Sequence, residues 1–396
     1  MAIDPRRFAI AFSATSAFLH LYAPQATLPL MAQEYGVGAA DASKIITAGT
    51  LAVAATAPFA GALSDVLGRK RVIVVAMTLL LIPATMASLS PSLDWLIFWR
   101  FVHGLLLPPI FAVTVAYIGD EWPPAGATRA AGIYASGSSF GGFSGRLIVG
   151  IAADLIGWRY GFGALAVMTL LGAIFVALLL PHEKNFVRSE GLAASGKQML
   201  AHLRNGQLLA TYAVGFGVLF IFIATFTYVS FHLAAPPYNL SASALGLLFV
   251  VYLAGSVLTP WTGWAVARFG RRRFTIRIIC IWAVGIALTL LPSLIAIIAG
   301  LAICAAAGLI CQAVSTGYVT VTAKAGRSSA VGLYVTSFYL GGSVGAAAGG
   351  LAWTYGKWPL CVGMVLAMLT VMISIVTFLW ARRVPPGPPS LPMEAA

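Results

Sequence analysis

Charge is what this sequence has least of. Only 9% of its 396 residues are Asp, Glu, Lys or Arg, and 11 acidic residues face 24 basic ones. Soluble domains carry about 25% charged residues, so this chain has too little polar surface to remain in water. A soluble enzyme and a disordered chain are both excluded. Cysteine is scarce too: Cys280, Cys304, Cys311 and Cys361 form no CxxC pair, and no HExxH, GxSxG or Cys/His metal spacing occurs. Cys304 and Cys311 stand two helical turns apart, about 10 Å, beyond disulfide reach. All four are expected as small buried apolar residues. A disulfide scaffold is excluded as well.

What is present is apolar: 60% of residues are hydrophobic and the mean hydropathy is +0.92. A spanning helix needs about 20 such residues. Twelve runs meet that need, over 8–31, 43–64, 72–89, 95–118, 130–153, 159–181, 206–233, 243–267, 274–291, 294–318, 330–355 and 358–381. The first follows Arg6 and Arg7 but is longer than a signal-peptide core and is succeeded by more runs, so it reads as a helix. With the N-terminus inside and the runs alternating, 19 basic residues fall on the inner side and three outside (Lys44, Arg159, Lys357). That bias predicts cytoplasmic termini. The net charge of +13 therefore reads as topology rather than nucleic-acid binding. The expected organisation is a six-helix bundle over 1–181, a polar cytoplasmic linker over 182–205, a second bundle over 206–383 and a Pro-rich disordered tail over 384–396. Within the linker, Gly191 to Gln198 imitates a phosphate-binding loop, but it lacks the hydroxyl that would hold Mg²⁺ and follows no strand.

The halves repeat. A shift of 200 aligns Gly132, Tyr134, Gly141, Gly142, Gly145, Gly150 and Trp158 with Gly332, Tyr334, Gly341, Gly342, Gly345, Gly350 and Trp358. A shift of 202 aligns Gly61, Gly68 and Arg69 with Gly263, Gly270 and Arg271. Repeated six-helix halves build two-bundle secondary transporters.

Three motifs then name a family. Gly61-Ala-Leu-Ser-Asp65-Val-Leu-Gly68-Arg69-Lys70-Arg71 resembles the loop 2–3 signature of the major facilitator superfamily. Trp99-Arg100-Phe-Val-His103-Gly104 resembles its helix-four Arg-x-x-Gln-Gly motif, with His103 in place of Gln. Gly137-Ser138-Ser-Phe-Gly141-Gly142 resembles the helix-five motif of its drug:proton antiporters, with Ser138 where proline is usual. The resemblance implies an all-α membrane protein of twelve helices in two pseudo-symmetric bundles. It also implies a gate, with Asp65 and Arg69 holding the cytoplasmic side shut across the bundle interface, Gly61, Gly68 and Arg129 beside them, and Gly141 and Gly145 on a surface that slides. Ala267 occupies the Asp65 position of the second copy, so one latch is expected.

Two charges lie inside spans. A buried Arg costs at least about 2.5–3.5 kcal/mol on insertion scales and is a functional candidate by default. Arg100 and Arg146 correspond to Gly300 and Ala346 in the repeat, so symmetric structural need explains neither. A structural alternative pairs Arg146 with Asp154 or backbone carbonyls. His103 lies one turn from Arg100, and His20, Tyr22 and Gln25 lie in helix one. No Asp or Glu is mid-span. The second half offers a neutral aromatic wall of Tyr228, Phe231, Tyr252, Trp261, Gln312, Tyr318, Tyr334 and Tyr339, suited to an amphipathic ligand.

The sequence thus predicts no enzyme and no cofactor. It predicts a secondary transporter of a small organic molecule, anionic or amphipathic, acting as a monomer in the bacterial inner membrane. Efflux by proton antiport is the first expectation, with histidines, Asp65 or Asp154 as proton carriers. Uptake or facilitated exchange of an organic anion is the alternative, and a non-transporting sensor or scaffold a minor one. A cysteine placed at Lys197 should react with an impermeant maleimide only after cells are permeabilised; labelling from outside intact cells contradicts the topology.

Overall fold

The structure, a computed structural model, describes residues 4–184, 198–323 and 326–380, the side chains of Pro124, Ala125 and Ser328 apart. The phosphate-loop look-alike up to Lys197, the tail 384–396 and several basic markers (Arg188, Lys324, Arg382, Arg383) lie outside them. Among the described residues there is no strand.

Among the described residues, twelve long helices follow one another: α1 (Pro5–Leu21), α2 (Ala39–Leu67), α3 (Arg69–Ser88), α4 (Leu93–Glu121), α5 (Pro124–Leu155), α6 (Trp158–Leu179), α7 (Gly206–Ala234), α8 (Ala242–Phe269), α9 (Arg271–Leu288), α10 (Leu294–Thr322), and α11 and α12 within Arg327–Phe378. The last two are separated by non-helical backbone at Gly356 and Lys357. α1 to α6 and α7 to α12 form the two bundles. The end where α1 begins is called the basic end below, and the opposite one the far end.

The first run does not form one helix. α1 stops at Leu21, a 3₁₀ turn covers Ala23–Ala26, and Leu28–Glu34 resumes the span. Pro24 and Pro29 lack the N–H groups that would continue the ladder. Within the linker range, residues 198–202 are helical.

The repeated glycines explain how the bundles pack. Gly137, Gly141 and Gly145 of α5 lie against the α1 backbone at Ala11, Thr15 and Leu19, where a Cβ would collide. Gly341 and Gly345 of α11 meet Phe216 and Phe220 of α7 in the same way. Small residues let helix backbones touch in lipid, where dispersion rather than hydrophobicity holds helices together. Gly150 faces the Ala242 backbone of α8, at the seam between bundles. Cys304, Cys311 and Cys361 are buried as expected, whereas Cys280 lies exposed on α9.

Gly145→Leu should lower the thermal midpoint strongly, because overpacking against fixed backbone costs at least about 1–3 kcal/mol. Gly163→Leu, at a position with nothing within 4 Å, should not. Equal midpoints for the two variants would contradict the packing account.

Candidate functional site

The break in α1 organises the buried charges. Helix ends leave backbone carbonyls without intrahelical donors, and here Arg100 of α4 supplies them: its Nη1 donates to the His20 carbonyl at 3.0 Å and its Nη2 to that of Leu21 at 2.5 Å. Arg100 is 1% exposed. Its predicted neighbours surround it. His20 sits with Nε2 at 2.7 Å from Thr169 Oγ1 and 3.2 Å from the Leu165 carbonyl of α6, and its ring centroid is 4.9 Å from that of His103. Arg100 is therefore engaged by backbone, the arrangement a helix break requires.

The 3₁₀ turn delivers Gln25 to Arg146. Arg146 Nε and Nη2 both donate to Gln25 Oε1, at 2.9 and 2.6 Å, and Nη1 donates to the Gly142 carbonyl at 2.5 Å. Gln25 Nε2 in turn donates to Thr227 Oγ1 of α7 at 3.1 Å. Three rings enclose the guanidinium: Phe249 at 4.3 Å, and Tyr22 and Tyr252 at 5.1 Å each. Desolvated cation–π contacts contribute about 2 kcal/mol or more each. Arg146 is 1% exposed and no carboxylate among the described residues pairs with it. The cage thus draws Arg146, Tyr22 and Gln25 from one bundle and Thr227, Phe249 and Tyr252 from the other. Tyr339 stacks on Phe111 across the seam, centroids 6.0 Å apart.

The pairing of Arg146 with Asp154 does not occur. Asp154 instead crosses the seam at the far end and accepts from the backbone N–H groups of Ala242 and Ser243, at 3.1 and 2.8 Å, capping α8. Nearby, Thr50 of α2 bonds Ser343 of α11 at 2.8 Å. Tyr228 donates to the Ala346 carbonyl at 2.6 Å within the second bundle, and Ser43 reaches the same carbonyl from the first at 3.5 Å. Tyr228 is thus part of the far-end seam rather than the cage. So is Phe231, which packs with Trp353 beside a far-end cavity of about 380 Å³.

At the basic end, Asp65 pairs with Arg69 at 2.6 Å, and Arg69 Nε reaches Asp120 at 3.0 Å and its Nη1 bonds Ser64. These groups all belong to the first bundle. Gly68 turns the chain at φ +92°. Glu183, which sequence reasoning passed over, accepts from the N–H groups of Arg69 and Lys70 at 2.9 and 3.3 Å. Gly61 has open space around it and Arg129 is exposed.

The aromatic wall divides. Trp261 faces outward, 59% exposed, apart from the cage. Tyr318 bonds Gln207 at 2.8 Å toward the basic end, Tyr334 packs on Phe338 at 6.0 Å, and Gln312 is half-buried. Phe249 and Thr227 were missed: each is one more apolar or small residue in a run full of them, and only the α1 break selects them.

The sequence profile described as Major Facilitator Superfamily matches residues 10–241 and 231–396. The inner membrane transport protein YnfM of Escherichia coli K12 is 30% identical over 370 residues, covering 92% of this chain and 88% of its own. The uncharacterized MFS-type transporter YybF of Bacillus subtilis is 28% identical over 382 residues, covering 96% and 94%. Two solved structures share the fold. The nucleoside transporter NupG superposes with a TM-score of 0.77 at 13% identity over 95% of this chain and all of that one. A bacterial homolog of the human lysosomal transporter Spinster, inward-facing and occupied, gives 0.70 at 16% identity over 96% and 95%.

Asp65→Asn should weaken the hold on Arg69 and change cysteine accessibility at the basic end, leaving insertion intact. Wild-type accessibility together with wild-type transport would reduce Asp65 to a topology marker.

Proposed function

Because the chain belongs to the major facilitator superfamily and is a multi-pass membrane transporter rather than an enzyme, we propose that it carries a small organic anion across the inner membrane by alternating access, binding the charged end at Arg146. The carrying observation is the cage itself. A buried cation without a carboxylate is costly in low dielectric unless something negative or polar completes it. Three of its N–H groups have partners, and the guanidinium offers further donors to a ligand. The flanking Tyr22, Phe249 and Tyr252 suit an apolar or aromatic body. Both bundles contribute, so any rocking of one against the other remakes the site.

Bridging hydrogen bonds at the far end, from α8 to Asp154, and mid-span, Thr50 with Ser343 and Ser256 with Ser139, support a state closed on that side and open toward the basic end, which the positive-inside bias assigns to the cytoplasm. The cargo is loaded from that side and exported against protons. A second reading, uptake or exchange of the same anion without protons, draws support from the missing mid-span carboxylate. In proteoliposomes, proton antiport responds to an imposed pH gradient, and uncoupled exchange does not.

Benzenesulfonate, a permanently ionised aromatic anion, and benzenesulfonamide, its neutral counterpart, test the site. Wild-type protein should bind the anion more tightly. Arg146→Ala should lose about ten- to a hundredfold in affinity, since a hydrogen bond to a charged group contributes about 1.5–3 kcal/mol. Lys at that position should recover only part, lacking the planar fork. Equal binding of both probes, or an unchanged anion affinity in Arg146→Ala with a collapsed thermal midpoint, would overturn the anion site.

A further inference from the structure

Among the described residues, four buried nitrogens in the first bundle have no hydrogen-bond partner: His20 Nδ1, His103 Nε2, Arg100 Nε and Trp99 Nε1. The first three belong to one cluster. His20 and His103 are each 1% exposed and face each other at 4.9 Å between centroids. Buried polar atoms are normally satisfied, and each exception needs a reason.

His20 Nε2 lies 2.7 Å from Thr169 Oγ1 and 3.2 Å from the Leu165 carbonyl, while Nδ1 is enclosed in protein with no partner. A neutral imidazole keeps one lone pair for a proton in either tautomer. The groups facing the pair are Arg100 on α4, Thr169 and the Leu165 carbonyl on α6, and the α1 carbonyls held by Arg100. No carboxylate lies mid-span, and Arg146 on α5 is committed to Gln25 beyond the α1 break.

We propose that His20 and His103 together bind the one transported proton, and that Arg100 reports its presence to the cargo site. This rests on the antiport reading above. The proton adds to the vacant lone pair of the pair and leaves the same nitrogen for water on the opposite side. An imidazolium and the Arg100 guanidinium are like charges in a dry site, and repel strongly there. Arg100 cannot then stay seated on the His20 and Leu21 carbonyls beside a charged His20. Releasing those carbonyls unseats the α1 break, and with it Tyr22 and Gln25, two walls of the Arg146 cage. Proton and cargo therefore exclude each other, which is the requirement of antiport. Arg100 acts in this as a positioning residue.

Histidine-ring nitrogen NMR of the purified chain in nanodiscs tests proton binding without any cargo. Gly150→Leu, whose side chain would strike the Ala242 backbone at the far-end seam, serves to hold that end open. In that variant, lowering the pH from about 8 to about 5 should charge the pair with a single proton, observed as two linked resonances. His103→Gln should abolish the linkage and shift the His20 titration. Benzenesulfonate affinity should fall about tenfold over the same range in wild type and stay flat in both His103→Gln and Arg100→Gln. Two rings that remain neutral to about pH 5, or that titrate independently, would overturn the proposal, as would an unchanged pH dependence of affinity in His103→Gln. If wild type does not bind benzenesulfonate, the cargo reading fails while the NMR titration still decides the proton pair.

Discussion

The contact on which the arrangement depends is the one between the Arg146 guanidinium and the Gln25 amide oxygen. A fully buried Arg in a bilayer must spend its N–H groups somewhere, and Gln25 takes two of them. Gln25 can do so only because α1 stops at Leu21 and turns. Arg100 donates to the carbonyls that the break exposes. Two intramembrane arginines thus perform different tasks, one sustaining a break in the backbone and the other facing the seam that the break completes.

This division gives alternating access a local meaning. The seam is closed at the far end by carboxylate, hydroxyl and carbonyl contacts between α5 and α8 and between α2 and α11. The hydroxyl and carbonyl bonds contribute on the order of 1 kcal/mol net each and those to the Asp154 carboxylate about 1.5–3, a scale that a ligand can overturn by binding one state better. The glycine faces of α5 on α1 and of α11 on α7 lie within bundles and are packed backbone to backbone. Rigid bundles around a soft seam are what rocking requires.

Much of this was legible in the residues. Hydropathy located the spans, because bilayer thickness leaves few alternatives, and the offset glycines located the repeat. Arg100, His103 and Arg146 stood out because charge inside a span is rare and costly. What the sequence concealed was who meets whom. Asp154 is the nearest carboxylate to Arg146 along α5, yet it caps α8 across the seam. Pro24 and Pro29 marked the break in α1, but a single apolar run over 8–31 obscured it. Phe249 carried no signal distinguishing it from other aromatics in spans. Trp261, chosen for its polar tip, points outward instead. Helical periodicity fixes which residues share a face but not which face meets which neighbour.

Alternating access in this chain requires the two bundles to rock about the Arg146 cage. Spin labels at Gly38 and Tyr355 report the far end across the seam, and labels at Val66 and Phe269 report the basic end; all four positions are exposed. Pulsed electron resonance distances for the two pairs, measured with and without benzenesulfonate and across pH, should change in opposite senses, one gap widening as the other narrows. Two distances that stay fixed, or that lengthen together, would contradict it.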